Sequence, residues 1–164
     1  MSRWIDRPPT TVLASPWGAC AGVPGAGDGP SALLGALQKR GFAGFDDAQI
    51  IPAVQEGPTL ADFVPHARRL CQRTAAVMHF GSALLLSGDH ANAAGWIAGV
   101  RAACPGARIG VVWIDAHGDI HSPYTTPSCN LHGMPLGALL GADNRRCARR
   151  QPDPVERADW RRLK

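Results

Sequence analysis

Four of the six histidines in this chain fall between His90 and His132, each where the residue pattern leaves a strand-like run or enters a helix-like one. The densest stretch, Asp115-Ala116-His117-Gly118-Asp119, follows the continuous apolar run Ile109 to Ile114. Side chains alternate along an extended chain, so Asp115, His117 and Asp119 are expected to point the same way if that conformation persists. His90 closes a second such passage, Ser87-Gly88-Asp89-His90. Imidazole and carboxylate groups gathered without a thiolate suit a harder or borderline ion such as Mn²⁺, whereas a structural zinc site would recruit cysteine. Asp115 is a candidate bridge, because one carboxylate can span two ions about 3.5 to 4 Å apart in a two-metal hydrolase. A lone Asp-x-His-x-Asp is also compatible with turn chemistry, and it is His90, at the end of the preceding strand-like run, that favours a metal site.

The elements that must hold these groups alternate short β-like runs with longer amphipathic stretches, the pattern of an α/β fold with a parallel sheet and crossover helices. Strands are expected over Thr11 to Ala14, Gln49 to Val54, Ala83 to Leu86 and Ile109 to Ile114. Helices are expected over Ser31 to Arg40, Ala61 to Phe80, Asn92 to Ala103, Gly133 to Leu140 and Pro154 to Leu163. The run Ile109 to Ile114 suits a strand buried on both faces. Its carboxyl end is where open α/β sheets place their active sites. Phe63, Ala67, Leu70, Cys71, Ala75 and Met78 recur at helical steps and should lay one stripe on the sheet. A loop with Gly18, Gly22, Gly25, Gly27 and Gly29 follows the first strand, without the register or Gly-Lys-Ser/Thr ending of a nucleotide loop.

At 164 residues and 45% hydrophobic, the chain is long enough for one domain with a core of its own. Five dispersed cysteines with no CxxC pair suggest neither a disulfide framework nor a zinc ribbon, which fits a reducing cytoplasm. Residues 1 to 9 lack the apolar centre of a secretory signal, and no apolar run approaches membrane-spanning length. The net charge of +4 is local: up to residue 139 nine basic and nine acidic side chains cancel, and the excess sits in residues 140 to 164, eight against four. Without aromatic interleaving or a nucleic-acid motif, this segment reads as a solvated helix or tail, with a phosphate-tracking patch as the lesser alternative.

The stretches Ser87-Gly88-Asp89-His90, Trp113-Ile114-Asp115-Ala116-His117-Gly118-Asp119 and Ser128-Cys129-Asn130-Leu131-His132-Gly133-Met134-Pro135, in this order and spacing, resemble the ureohydrolase family. That family comprises arginases, agmatinases and formimidoylglutamases, and the Asn-Leu-His-Gly-Met-Pro run is most similar to arginases. The resemblance implies a three-layer αβα arginase-like fold. It also implies two Mn²⁺ ions holding a bridging hydroxide that attacks the guanidinium carbon of L-arginine, releasing urea and ornithine. On this basis His90, Asp115 and Asp119 would serve one ion, with Asp115 also reaching a second ion beside His117, and Asp119 accepting a hydrogen bond from the hydroxide. His132 would relay a proton to the leaving amine. Ser128 and Asn130 would bind the carboxylate end of the substrate. His121 stands where arginases commonly place an asparagine for that task, so strict preference for L-arginine is open, and Cys129 and Ser87 each replace a usual glycine.

The family's second Asp-x-Asp motif and a downstream glutamate have no counterpart after Pro135. The chain therefore reads as a single truncated domain, residues 1 to 164, covering the N-terminal half of an arginase-like protein. Two Mn²⁺ ions bring four positive charges, and Asp115 and Asp119 return two negative ones, so the second ion lacks ligands and compensation. Asp143, Asp153 and Asp159 lie among arginines without metal spacing. A non-catalytic remnant or half-site module is the alternative, as is a related amidinohydrolase acting on agmatine, guanidinobutyrate or formimidoylglutamate. The expected partners are a small guanidino substrate and further copies of the chain, without nucleic acid or membrane. A parallel sheet cut after its early strands would also expose an edge open to self-association.

Overall fold

The computed structural model describes residues 10–42, 44–53 and 57–164. Three parallel strands, β1 (Thr10–Ser15), β2 (Gln49–Ile50) and β3 (Ser82–Ser87), form a sheet in the order β2-β1-β3. The helices are α1 (Gly29–Lys39), α2 (Leu60–Met78), α3 (Asn92–Ala103), α4 (Pro135–Leu139) and α5 (Pro154–Leu163). β1 is central and pairs with β3 along its length, from Thr10 opposite Ser82 to Ser15 opposite Ser87. Successive side chains of β1 leave by opposite faces, so the layers can be read from its residues. Val12 and Ala14 pack with Leu34 of α1 on one face. Leu13 packs with Leu70 and Val77 of α2 and Trp96 of α3 on the other. The three-layer αβα arrangement is thus present around this sheet.

α2 begins on a capping box in which Thr59 and Asp62 satisfy each other's backbone N–H groups. The stripe read from sequence buries Phe63, Ala67 and Leu70, but the buried face also takes in two polar residues, His66 and Thr74. α3 lies close against it because Gly95 and Gly99 carry no side chain. A Cβ at Gly95 would stand 2.6 Å from the Ala67 carbonyl, and one at Gly99 2.6 Å from that of Cys71. A third apolar cluster joins Trp17, Phe63, Ala91, Leu131, Met134, Ala138 and Trp160, uniting the loops after β1 and β3 with α4 and α5.

Two expected strands differ from the structure. The run Gln49 to Val54 forms a ladder only at Gln49–Ile50, and Val54 lies outside the described residues. Ile109 to Ile114 is in no strand at all. A parallel strand draws its backbone hydrogen bonds from neighbours, and among the described residues no segment is laddered against this one. Its apolar side chains are accordingly bare, with Val112 88% and Ile114 92% exposed rather than buried on both faces. Of the helix expected from Gly133, α4 keeps only the part from Pro135 onward, where a first-turn proline needs no N–H partner. No described helix is long and apolar enough to cross a membrane.

Candidate metal centre and adjoining cleft

The passage out of β3 places His90 against the two carboxylates of the later motif. His90 Nδ1 is 3.0 Å from Asp115 Oδ2 and 3.1 Å from Asp119 Oδ2. The imidazole stacks on Trp113, ring centroids 4.6 Å apart, so the residue just before Ile114-Asp115 also orients the histidine. The convergence does not arise from strand alternation, because the chain bends over Asp115–His117 and Asp119 adopts the left-handed region at φ 46°. Aspartate tolerates that conformation better than most residues. The main-chain N–H of His117 donates to Asp115 Oδ1 at 2.7 Å. That bond, helped by the neighbouring His90, holds the Asp115 carboxyl below its ordinary value.

Asp119 is fixed from behind by α4. Its carbonyl accepts the N–H groups of Leu136 at 3.0 Å and Gly137 at 3.2 Å. Gly137 permits this approach, since a Cβ there would collide with the carbonyl of His121. Asp119 Oδ2 is buried and has no hydrogen-bond partner among the described residues, although His90 Nδ1 is 3.1 Å away. Close approach without an aligned hydrogen bond leaves a desolvated carboxylate oxygen uncompensated. A shared cation would resolve that, and ligand atoms held at about 2.1 Å around an octahedral ion stand about 3 Å apart. The three donor atoms, all nitrogen or carboxylate oxygen, therefore fit a divalent ion. Cys20 is not in this group: its buried Sγ accepts the Trp17 indole N–H at 3.2 Å, and burial, then the Asp89 charge, pushes its thiol up to about 12.

His117 stands apart from this group. Its side chain is 82% exposed and, among the described residues, reaches only Asp115, at 3.4 Å. It lines, with Asp119, His121, Ser128 and His132, a cleft of about 380 Å³. His132 Nδ1 is 2.9 Å from the Cys20 carbonyl, which can only accept. The proton therefore sits on Nδ1, leaving Nε2 as the basic nitrogen of the neutral ring. His121 is held through its main-chain N–H to Gly133 and its ring to Thr125 Oγ1 at 3.2 Å. Ser128 is exposed, with Oγ accepting the Asn130 N–H. Asn130 is not part of the cleft lining and packs against the glycine-rich loop, where a Cβ at Gly22 would fall 2.8 Å from its amide nitrogen. Cys129, between them, has φ 62°, which gives the glycine usual at that position a physical reason.

Sequence reasoning passed over two groups that organise the site. Asp89 is buried and accepts the N–H groups of Cys20 and Ala91, both at 2.9 Å, tying the glycine-rich loop to the residue before His90. Burial pushes its carboxyl up to about 6 despite those two bonds. Behind it, Ser15, His66 and Asn92 form a buried polar trio, with Ser15 Oγ 2.8 Å from His66 Nε2 and 2.9 Å from Asn92 Oδ1. No spacing signals the trio, since its members come from three separate elements. Asn92 also donates to the carbonyls of Trp17 and Asp89, so the trio braces both loops.

The Arginase family model matches residues 9–151. The chain belongs to the arginase family. Among curated relatives, an arginase of Brevibacillus brevis is 36% identical over 131 residues, 72% of this chain and 43% of that protein. An arginase of Entamoeba histolytica is 44% identical over 75 residues, 45% of this chain and 25% of that protein. The solved structure of the E. histolytica enzyme in complex with L-ornithine superposes with a TM-score of 0.70 at 30% identity, covering 82% of this chain and 50% of that one. A Helicobacter pylori arginase structure matches in fold, with a TM-score of 0.69 at 24% identity over 94% of this chain and 51% of that one. The chain thus spans about half the length of the solved arginases it matches.

Proposed function

We propose that this chain carries the His90–Asp115–Asp119 part of a manganese-dependent ureohydrolase centre whose substrate is a guanidino compound, L-arginine first. The observation that carries the reading is the buried Asp119 carboxylate oxygen, without a hydrogen-bond partner among the described residues, beside His90 and Asp115 and next to the cleft that Asp119 lines with His132. Bound there, manganese would supply a water nucleophile ionised near neutral pH. His90, Asp115 and Asp119 would hold an ion, and His117 would serve a second one only after turning inward. The remaining work falls to the protein. A guanidinium is cationic at neutral pH, and Asp115 and Asp119 would cancel the charge of one Mn²⁺, so that its approach is not opposed. His132 keeps Nε2 available to take up a proton and return it to the departing amine. His121 and Ser128 at the cleft would meet the far end of the substrate, and Asn130 would reach it only by leaving the glycine-rich loop.

Urea release from L-arginine, agmatine and guanidinobutyrate in the presence of Mn²⁺ tests the assignment, with L-arginine expected to be the preferred substrate. A second reading, a non-catalytic module holding one ion, has its own support in the outward position of His117 and in a donor set of only three residues. No urea from any of the three substrates would decide for it.

A further inference from the structure

The basic excess of residues 140 to 164 is used by no part of the proposed chemistry. Each acid of that segment is already committed. Asp143 accepts from Lys164 Nζ at 2.6 Å and from the Trp160 indole at 2.9 Å. Asp153 caps α5 through the Glu156 N–H, and Glu156 holds Arg150 at 2.6 and 2.8 Å. Asp159 takes Arg162 at 2.8 Å. Among the described residues, four arginines of the segment are left without a carboxylate partner: Arg146, Arg149 and the pair Arg157 and Arg161 on α5.

Arg157 and Arg161 line one cleft of about 490 Å³ between α5 and the loop after His121, together with Arg145, Tyr124 and Gln151 and no acidic side chain. Arg157 is half-buried and anchored by donating to the Pro152 carbonyl at 2.6 Å. Arg145 lies 5.0 Å over the Tyr124 ring and touches Asp143 only at 3.4 Å. Tyr124 is buried, and its hydroxyl makes no hydrogen bond among the described residues. Three guanidinium groups around one space, two without a carboxylate partner and the third sharing Asp143 with Lys164, repel one another unless an anion joins them. Guanidinium forks match phosphate oxygens two at a time, and the tyrosine O–H adds a neutral donor.

We infer that this cleft binds a small phosphate-type oxyanion, separately from the metal centre. The probes are inorganic phosphate and pyrophosphate, titrated calorimetrically into the whole chain at fixed ionic strength without manganese. Saturable binding of one anion per chain is expected, weakened about tenfold or more in Arg157→Gln/Arg161→Gln and changed less than about twofold in Arg146→Gln, which lies outside the cleft lining. Circular dichroism checks the fold of the double variant. If it fails to fold, Arg161→Gln alone, at an exposed position, must still weaken binding by several-fold. Unsaturable heats, or affinity untouched by the arginine substitutions, would overturn the inference. So would a single-stranded oligonucleotide that binds with equal loss in Arg146→Gln and Arg161→Gln, because that is a diffuse basic surface rather than a site.

Discussion

Asp119 meets two demands that pull against each other: its backbone sits at φ 46° to present the side chain, and its carboxylate is buried. The α4 N–H groups that bind its carbonyl offset part of that cost. Cys129 carries a similar backbone burden at φ 62°, held by its own N–H donating to Thr126 Oγ1 at 3.0 Å. Cys129→Gly should therefore raise stability by about 1 kcal/mol, a melting shift of about 2 to 4 °C measurable by calorimetry. A destabilised variant would mean that the thiol makes contacts outweighing the strain. His66 gives a pH prediction. Burial first lowers its pKa from 6.5 to about 4, so the folded state keeps it neutral where the unfolded chain binds a proton. Its contribution is complete above pH 6.5 and is lost as pH falls toward 4, by about 3 kcal/mol in all. Denaturant titrations at both pH values should show that slope, and His66→Gln should flatten it. That His90, Asp115 and Asp119 gather in one place was legible from residue type and spacing. The residues that serve burial, Asp89 and the Ser15–His66–Asn92 trio, were not, because their partners are brought together only by the fold.

At the scale of elements, the helices were readable from periodicity and caps. α3 and α5 cover the residues expected of them, and α2 begins one residue early at its capping box. Strands depend on neighbours, and the misreading of Ile109 to Ile114 shows it: an apolar run encodes a strand only if another segment supplies the ladder. Among the described residues β3 has one neighbour, and Val112 and Ile114 are bare, so the molecule offers both unpaired backbone and apolar surface. The chain is expected to self-associate through this surface, and Ile114→Lys, at a side chain 92% exposed, should shift it toward monomer in sedimentation velocity. A chain already monomeric, or an association unchanged by the substitution, would contradict this.

For the whole molecule, the parallel sheet flanked by helices and the family were implied by the sequence, because strand-helix alternation and three linked motifs constrain each other; the strand order β2-β1-β3 was not, since it depends on which segments meet in the fold. The distribution of charge was legible too, but not its use: only the structure shows which acids are already paired and that two arginines are left facing one cleft. His90, Asp115 and Asp119 are the proposed cation site. Its most direct test is calorimetric titration of Mn²⁺ into the metal-stripped chain and its Asp119→Asn and His117→Ala variants. One saturable ion per chain, weakened about a hundredfold or more by Asp119→Asn and only a few-fold by His117→Ala, is the predicted result. Absence of saturable binding, or binding that survives Asp119→Asn, would contradict the account.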